Sequence, residues 1–475
     1  MNSNYQHKYL KFKMDKQTIL TLIDDLTAEQ LANFIKQGHV TVDELRKTES
    51  LDNSKRVAIL KLLKAEEQEQ LRSQAERDKA DDDAWESVRY GNEITIIDWI
   101  NMNPNNKHIQ KAKDRVIFLQ DEREKIRNQR KGILENIRHN PNTYPPNDIK
   151  RFLNNGTFTE QDLCDFGIPQ SAINNLNNIK APTLNLGATP NFIPEGYTEV
   201  YFWGYKGSGK TCALGAILHM AEKKGYLNIA AGSGNRYATQ LKNIFSDDGL
   251  ANDFLPAPSP VETTQYLPFT LKNPNESKSR SVSLIELSGE VFLCFAHKIA
   301  GEPFPTQSHE NTFNSLNNFL KSNNRKVHFF FIDFDRENKP DDNGLKQSDY
   351  LAAASTYFNN NAVFGKTTDA IYVVLTKSDL MLDDSGNPIP KDKRIEYARK
   401  HLNGHNYLAF VNTLKDNCKK YSINGGKLTV EPFSLGKVYF RDICDFEGTS
   451  AGNIVEILME RIAGTKKSIL DVFNK

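Results

Sequence analysis

From Thr18 to about Arg138 apolar residues recur at spacings of three and four, with much charge between them and almost no glycine or proline. That is the periodicity of amphipathic helices. Beyond Tyr197 the pattern changes: apolar runs of strand length (TEVYFWG, SVSLIEL, KVHFFFID, AIYVVLT and the weaker TVEPFSL) alternate with helical stretches. Such alternation requires a parallel α/β sheet with helices on both faces. The fold class expected is therefore α/β, a doubly wound domain over 197–475 joined to an all-α N-terminal region. Residues 181–196, APTLNLGATPNFIPEG, have the proline, glycine and threonine content of a linker between the two.

One segment of the helical region repeats. NFIKQGHVTVDEL, Asn33 to Leu45, matches RFLNNGTFTEQDL, Arg151 to Leu163, in its aromatic, aliphatic, glycine, threonine, acidic and leucine positions. In each copy Gly38 or Gly156 suits a helix C-terminus at positive φ, and Thr41 or Thr159 suits the next N-cap. Glu44 and Asp162 stand where a capping box closes, the aspartate being the shorter fit. The copies define helical modules at 18–65 and 146–178. Between them, Ala84 to Leu119 reads as an antiparallel helical hairpin turned at Asn103, Pro104, Asn105 and Asn106, within a region 84–138 that ends in a long helix. It resembles a tetratricopeptide hairpin, with the family pattern partly met. Trp85 and Trp99 read as core residues of that hairpin, and the charged run Glu66 to Asp83 as a solvated helix face.

A chain of 475 residues exceeds one ordinary core. Its 61 basic and 60 acidic side chains leave a net charge of +1, so no overall field gathers nucleic acid or anionic lipid. Five cysteines lie far apart without a CxxC pair and read as reduced thiols of a cytoplasmic protein. The basic N-terminus is followed by no apolar stretch, and no run reaches the roughly 18 apolar residues of a membrane span. A soluble, unexported protein is expected.

GYKGSGKT, Gly204 to Thr211, fits GxxxxGK[ST] directly after one strand and before helical text, which makes the domain a P-loop NTPase candidate. Gly204, Tyr205, Lys206, Gly207, Ser208 and Gly209 would wrap phosphates with their backbone N–H groups. Lys210 would reach the β- and γ-phosphates, Thr211 would ligate magnesium, and Cys212 follows in the helix's first turn.

Tyr266 to Lys272 and Ser281 to Leu287 flank a turn-rich stretch and form an antiparallel hairpin. In order this resembles the Ras-like and translation-factor-like GTPases, where such a hairpin leads from switch I into the strand ending at DxxG. The edge position of the hairpin's first strand there suits Pro268, which cannot donate to a ladder. The resemblance implies that Glu286 holds magnesium through water, that Gly289 offers its N–H to the γ-phosphate, and that Glu290 falls where relatives orient the attacking water with glutamine. It implies a magnesium-closing switch I threonine at Thr263 or Thr264. TKSD, Thr376 to Asp379, stands against the family's NKxD. Asp379 would accept from guanine N1–H and the 2-amino group, and Lys377 would cover the ring, whereas Thr376 replaces an asparagine that ties this loop to the P-loop. Ser434 falls at the family's SAK loop. The phrasing YFWG, SGE and TKSD further resembles little-studied GTPases of bacterial conflict and mobile-element loci.

These residues together predict a GTP- and Mg2+-dependent switch, hydrolysing slowly because no arginine finger is assignable: Arg236 and Arg280 are near the right segments only in sequence. Its helical modules would bind a protein partner. Two other readings stay open, an ATPase with Glu290 as base beside Glu286, and a scaffold with a vestigial pocket.

Overall fold

The computed structural model describes residues 15–178, 182, 184, 192–228, 235–245, 249–250, 254–257 and 264–463. It forms two compact units, Met1–Gln129 and Arg130–Lys475. Most of the expected linker, 181–196, lies outside the described residues.

In the first unit, helices α1 (Lys16–Thr21), α2 (Ala28–Lys36), α3 (Val42–Lys47), α4 (Asn53–Glu86) and α5 (Glu93–Met102) are followed by α6 (Ile109–His139), which runs across the division. Gly38 ends a helix at φ 73° and Thr41 closes a full capping box with Glu44. Leu31, Phe34, Val40, Leu45 and Ile59 share one small core, and Trp85 and Trp99 meet at 5.5 Å in another. Trp85 belongs to the end of the long helix α4 rather than to the hairpin proper, because Asn92 caps α5 and starts the hairpin there. The charged run 66–83 is solvated along α4, as expected.

The second unit continues with α7 (Pro146–Asn154), α8 (Glu160–Asp165) and α9 (Gln170–Asn178). Gly156 has φ 70°, and Thr159 and Asp162 close the matching capping box, so the short aspartate suffices. Next come β1 (Thr198–Gly204), α10 (Lys210–Lys223), β2 (Leu227–Asn228), α11 (Asn235–Asn243), β3 (Gly249–Leu250), β4 (Gln265–Lys272), β5 (Ser279–Glu286), α12 (Val291–Ala300) and α13 (Gln307–Leu320). The chain then forms β6 (Arg325–Asp333), α14 (Gln347–Asn361), β7 (Thr368–Thr376), α15 (Arg394–Leu402), α16 (Leu408–Tyr421), β8 (Thr429–Pro432), β9 (Gly436–Tyr439), β10 (Ile443–Phe446) and α17 (Thr449–Ala463).

The main sheet runs β2-β4-β5-β1-β6-β7-β8, with the β2–β4 and β4–β5 pairings antiparallel and the other pairings parallel. Alternation along β1 builds both faces. Tyr201 and Trp203 pack with Phe295, Phe330 and Phe358 under α12 and α14, while Val200 and Phe202 pack with Leu214, Phe329 and Phe331 under α10. Helices therefore cover both faces, the doubly wound class the pattern required. β4 is an edge only in part, because β2 pairs with Thr270 and Leu271, and Pro268 falls outside that short pairing. A second sheet, β3-β10-β9, carries the remaining helices: Ile149, Phe158, Leu163 and Ile173 pack with Ile133 and Ile137 against Tyr439, Phe440 and Ile443.

His328 lies fully buried in β6 and accepts from Trp203 Nε1 at 3.0 Å. Burial, with nearby Lys326, pushes its pKa from 6.5 down to about 3. The unfolded chain takes up a proton below about 6.5 that the folded chain refuses, so stability should fall as pH falls from there toward 3, by up to roughly 1.4 kcal/mol per unit. His328→Gln can accept the same bond without titrating. It should lose roughly 2 kcal/mol less than the wild type between pH 7 and pH 5 in urea unfolding, and parallel losses would remove His328 as the cause.

Candidate functional site

The site forms where the parallel strands end. β1 finishes at Gly204, and the loop to α10 turns through Gly207 and Gly209 at φ 75° and 79°, conformations that L side chains rarely adopt. The turn is closed by Ser208 N–H donating to Tyr205 O at 3.0 Å. Lys210 and Thr211, both buried, open α10, so the loop amides and the helix N-terminus converge on one point. Burial lowers the Lys210 pKa while Glu286 raises it. Cys212 follows them, its thiol pushed up to about 12 by burial and then by Glu286, and so neutral.

At the end of β5, beside β1, Glu286 is 1 % exposed. Its Oε1 accepts from the Thr211 hydroxyl and its Oε2 from Tyr237 OH at 2.6 Å. Two buried hard oxygens side by side suit a hard divalent cation. Among the described residues no cluster of three or more His, Cys, Asp or Glu could form a complete cage. Such a set fits magnesium, which takes one or two protein oxygens and completes its shell with water and phosphate. Thr264 is buried immediately before Gln265, the register partner of Glu286. Thr263 lies outside the described residues.

Gly289 sits against the P-loop, where a Cβ would overlap the backbone of Lys206. Only glycine permits that approach of the backbone to the P-loop. Glu290 occupies the N-cap position of α12 without a side-chain capping bond. Its Oε1 is 3.2 Å from Lys206 Nζ, and Oε2 is 4.0 Å from His309 Nε2.

At the other end, Asp379 Oδ1 accepts from Ser434 Oγ at 2.7 Å. Thr376, which replaces the family's asparagine, also ties this loop to the P-loop. Its hydroxyl donates to Ser208 O at 2.9 Å, because the end of β7 comes close enough to the P-loop for a short side chain to reach. Lys377, at φ 55°, has Nζ 2.8 Å from Asp333 Oδ2.

A cavity of about 780 Å³ joins these parts. It is lined by Lys206 to Cys212, Gly289, Thr376, Lys377 and Asp379, and its size is within the range of small-molecule and cofactor sites. Several lining residues carry no motif. Asp333, fully buried with its carboxyl raised by burial, ends β6; a lone acid closing an apolar strand was the available signal. Asp335, Arg336 and Lys339 follow it, whereas Arg236 is exposed and Arg280 lies 3.7 Å from Glu276. The opposite wall includes Asn142 and Thr143, from the connection between α6 and α7, and Arg441. Arg441 donates to Asn142 O at 3.0 Å and to Thr143 O at 2.6 Å, from a hairpin turn in which Phe440 and Arg441 both have positive φ.

No family model matches the chain, and no curated protein matches it. Among solved structures it is similar to the GTP-bound GTPase-like domain of Ski7 from S. cerevisiae, at 18 % identity over 64 % of this chain and 54 % of that one, with a TM-score of 0.28. GDP-bound Roco2 RocCORdC from Methanosarcina barkeri matches at 13 % over 58 % and 51 %, with a TM-score of 0.25. The putative nucleolar GTP-binding protein 1 from Plasmodium falciparum matches at 13 % over 59 % and 98 %, with a TM-score of 0.24. The chain spans about half the length of the first two. Among the described residues no helix is long and apolar enough to cross a membrane, and all five cysteines are free.

Proposed function

We propose that this chain binds GTP with magnesium and hydrolyses it slowly, as a switch. The observation that carries this reading is the cavity itself. Thr211, bonded to Glu286, and Asp379, bonded to Ser434, both line it together with the P-loop. Magnesium bound at the Thr211 and Glu286 oxygens would neutralise charge on the phosphates. Lys210 binds the β- and γ-phosphate oxygens, the Gly289 N–H donates to the γ-phosphate, and Glu290 faces the water that attacks it. Asp379 accepts from guanine N1–H and the 2-amino group; adenine offers a lone pair at N1 instead. Exposed Tyr90, Ile94 and Met102 around the helical hairpin support the further reading that the N-terminal unit binds a protein partner.

Titration of the purified chain with labelled GTP and ATP, with and without magnesium, tests this. GTP should bind at least about 10²-fold more tightly, since two charge-assisted bonds at roughly 1.5 to 3 kcal/mol each separate the bases. Equal affinities would favour the ATPase, and no binding of either would leave the scaffold. Asp379→Asn should move preference from GTP to xanthosine triphosphate, because the amide donates to the extra carbonyl where the carboxylate only accepts. A variant that keeps its GTP preference would show that Asp379 does not read the base.

A further inference from the structure

We propose that Arg336 is a catalytic cation supplied by the chain itself, its guanidinium binding the terminal phosphate of the nucleotide as that group is transferred to water. The inference rests on the nucleotide-binding reading above. Arg336 ends a short 3-10 turn, Phe334–Arg336, directly after β6, more than a hundred residues from the P-loop in sequence. Two independent ties bring the segments together. Nη1 of Arg336 donates to the carbonyl of Lys206, and the Tyr205 hydroxyl donates to Asp341 at 2.8 Å.

The second tie is built from several parts. Tyr350 OH also donates to Asp341, at 2.6 Å, and the rings of Tyr205 and Tyr350 stack with centroids 4.6 Å apart. Against the upward push of burial, the hydrogen bonds from Tyr350 and Tyr205 hold the Asp341 carboxyl below its ordinary range. Tyr205 is thereby fixed as a platform, and the Arg336 guanidinium carbon lies 5.5 Å from its ring centroid. A Cβ on Gly207 would come within 3.2 Å of Nη1, so the guanidinium lies on the turn of the P-loop itself and lines the same cavity.

The neighbouring cations are occupied. Lys206 pairs with Glu290, Lys339 with Asp335 at 2.7 Å, and Lys377 with Asp333. Among the described residues no carboxylate comes within ion-pair distance of Arg336. The one hydrogen bond recorded for it goes to a carbonyl, and a guanidinium has five N–H donors in a rigid fork. A fixed cation with spare donors, lining the same cavity as the P-loop, is complementary to an anion with paired oxygens. In hydrolysis the water oxygen forms a bond to the γ-phosphorus while the bond from that phosphorus to the β–γ bridging oxygen breaks, its electron pair leaving on the β-phosphate of GDP and the water's proton passing to the released phosphate. Charge grows on the bridging and terminal oxygens. Arg336 transfers no proton. It stays charged throughout and stabilises those oxygens by its fixed position.

Arg336→Ala and Arg336→Lys in the full chain test this against a purely structural tie. Both should bind GDP within about threefold of the wild type. Single-turnover GTP hydrolysis in the alanine variant should fall by about 10² to 10³, and binding of GDP with aluminium fluoride should weaken in parallel. Lysine should recover little, because it lacks the fork, whereas millimolar guanidinium ion should partly rescue the alanine variant. Hydrolysis within threefold of the wild type would overturn the proposal, as would equal loss of GDP and GTP binding without rescue. A wild-type chain that binds no guanine nucleotide would instead overturn the nucleotide reading, and this inference with it.

Discussion

Lys210→Ala should weaken GTP binding by about 10²- to 10⁴-fold while leaving the free protein folded and no less stable. In the proposed complex the ammonium makes two charge-assisted bonds to the β- and γ-phosphates, each worth roughly 1.5 to 3 kcal/mol. In the free protein the same group is an electrostatic burden. It is 5 % exposed, and burial lowers its pKa even with Glu286 nearby. Truncation removes that desolvation penalty along with the aliphatic packing, so the melting temperature without nucleotide should stay near the wild-type value. Ligand stabilisation grows as the logarithm of ligand concentration over Kd, so the upward shift that GTP gives the wild type should disappear in the variant at matched concentration. Calorimetry with and without GTP reads both quantities. A variant that melts like the wild type and is still stabilised by GTP would remove Lys210 from the phosphate site.

The parts of this site that could be read from sequence are those carried by contiguous residues. GYKGSGKT needs only its own glycines and the helix after it, and the two capping boxes need only positions three apart. Glu286 could be placed because hairpin order puts it at the end of the strand beside β1. The parts that could not be read come from distant segments. Arg336 reaches the P-loop across 130 residues, Tyr205 finds Asp341 across 136, and Arg441 grips Asn142 across 299. Neither an arginine after an apolar strand nor an aspartate in a polar loop announces such a partner. Thr376 shows the same limit, since an asparagine absent from the pattern says nothing about whether a hydroxyl can reach the same loop. The hairpin of β9 and β10 was masked because its strands are only four residues each, and short runs carry little periodicity. Yet it holds α7 to α9 against the domain that carries the site.

Glu290→Ala should bind GTP about as tightly as the wild type and hydrolyse it about 10²-fold more slowly, the usual scale for a positioned acid-base or water-orienting group. Gly289 fits closely against the backbone of Lys206, and the next side chain, Glu290, pairs with the Lys206 ammonium. A carboxylate there should repel the γ-phosphate, and that objection would make it a brake. The geometry answers it: Lys206 Nζ lies 3.2 Å from Oε1, so the carboxylate is neutralised by a P-loop cation, and its other oxygen lies 4.0 Å from His309 Nε2. Helix capping is also answered, since the Glu290 side chain makes no bond to the first turn of α12. With repulsion already offset, Glu290→Gln should not accelerate hydrolysis. It should fall between the wild type and alanine, because an amide orients water but accepts its proton poorly. Single-turnover rates at saturating GTP rank the three proteins. Glutamine faster than the wild type would establish the brake, and equal rates in all three would leave Glu290 only its pairing with Lys206.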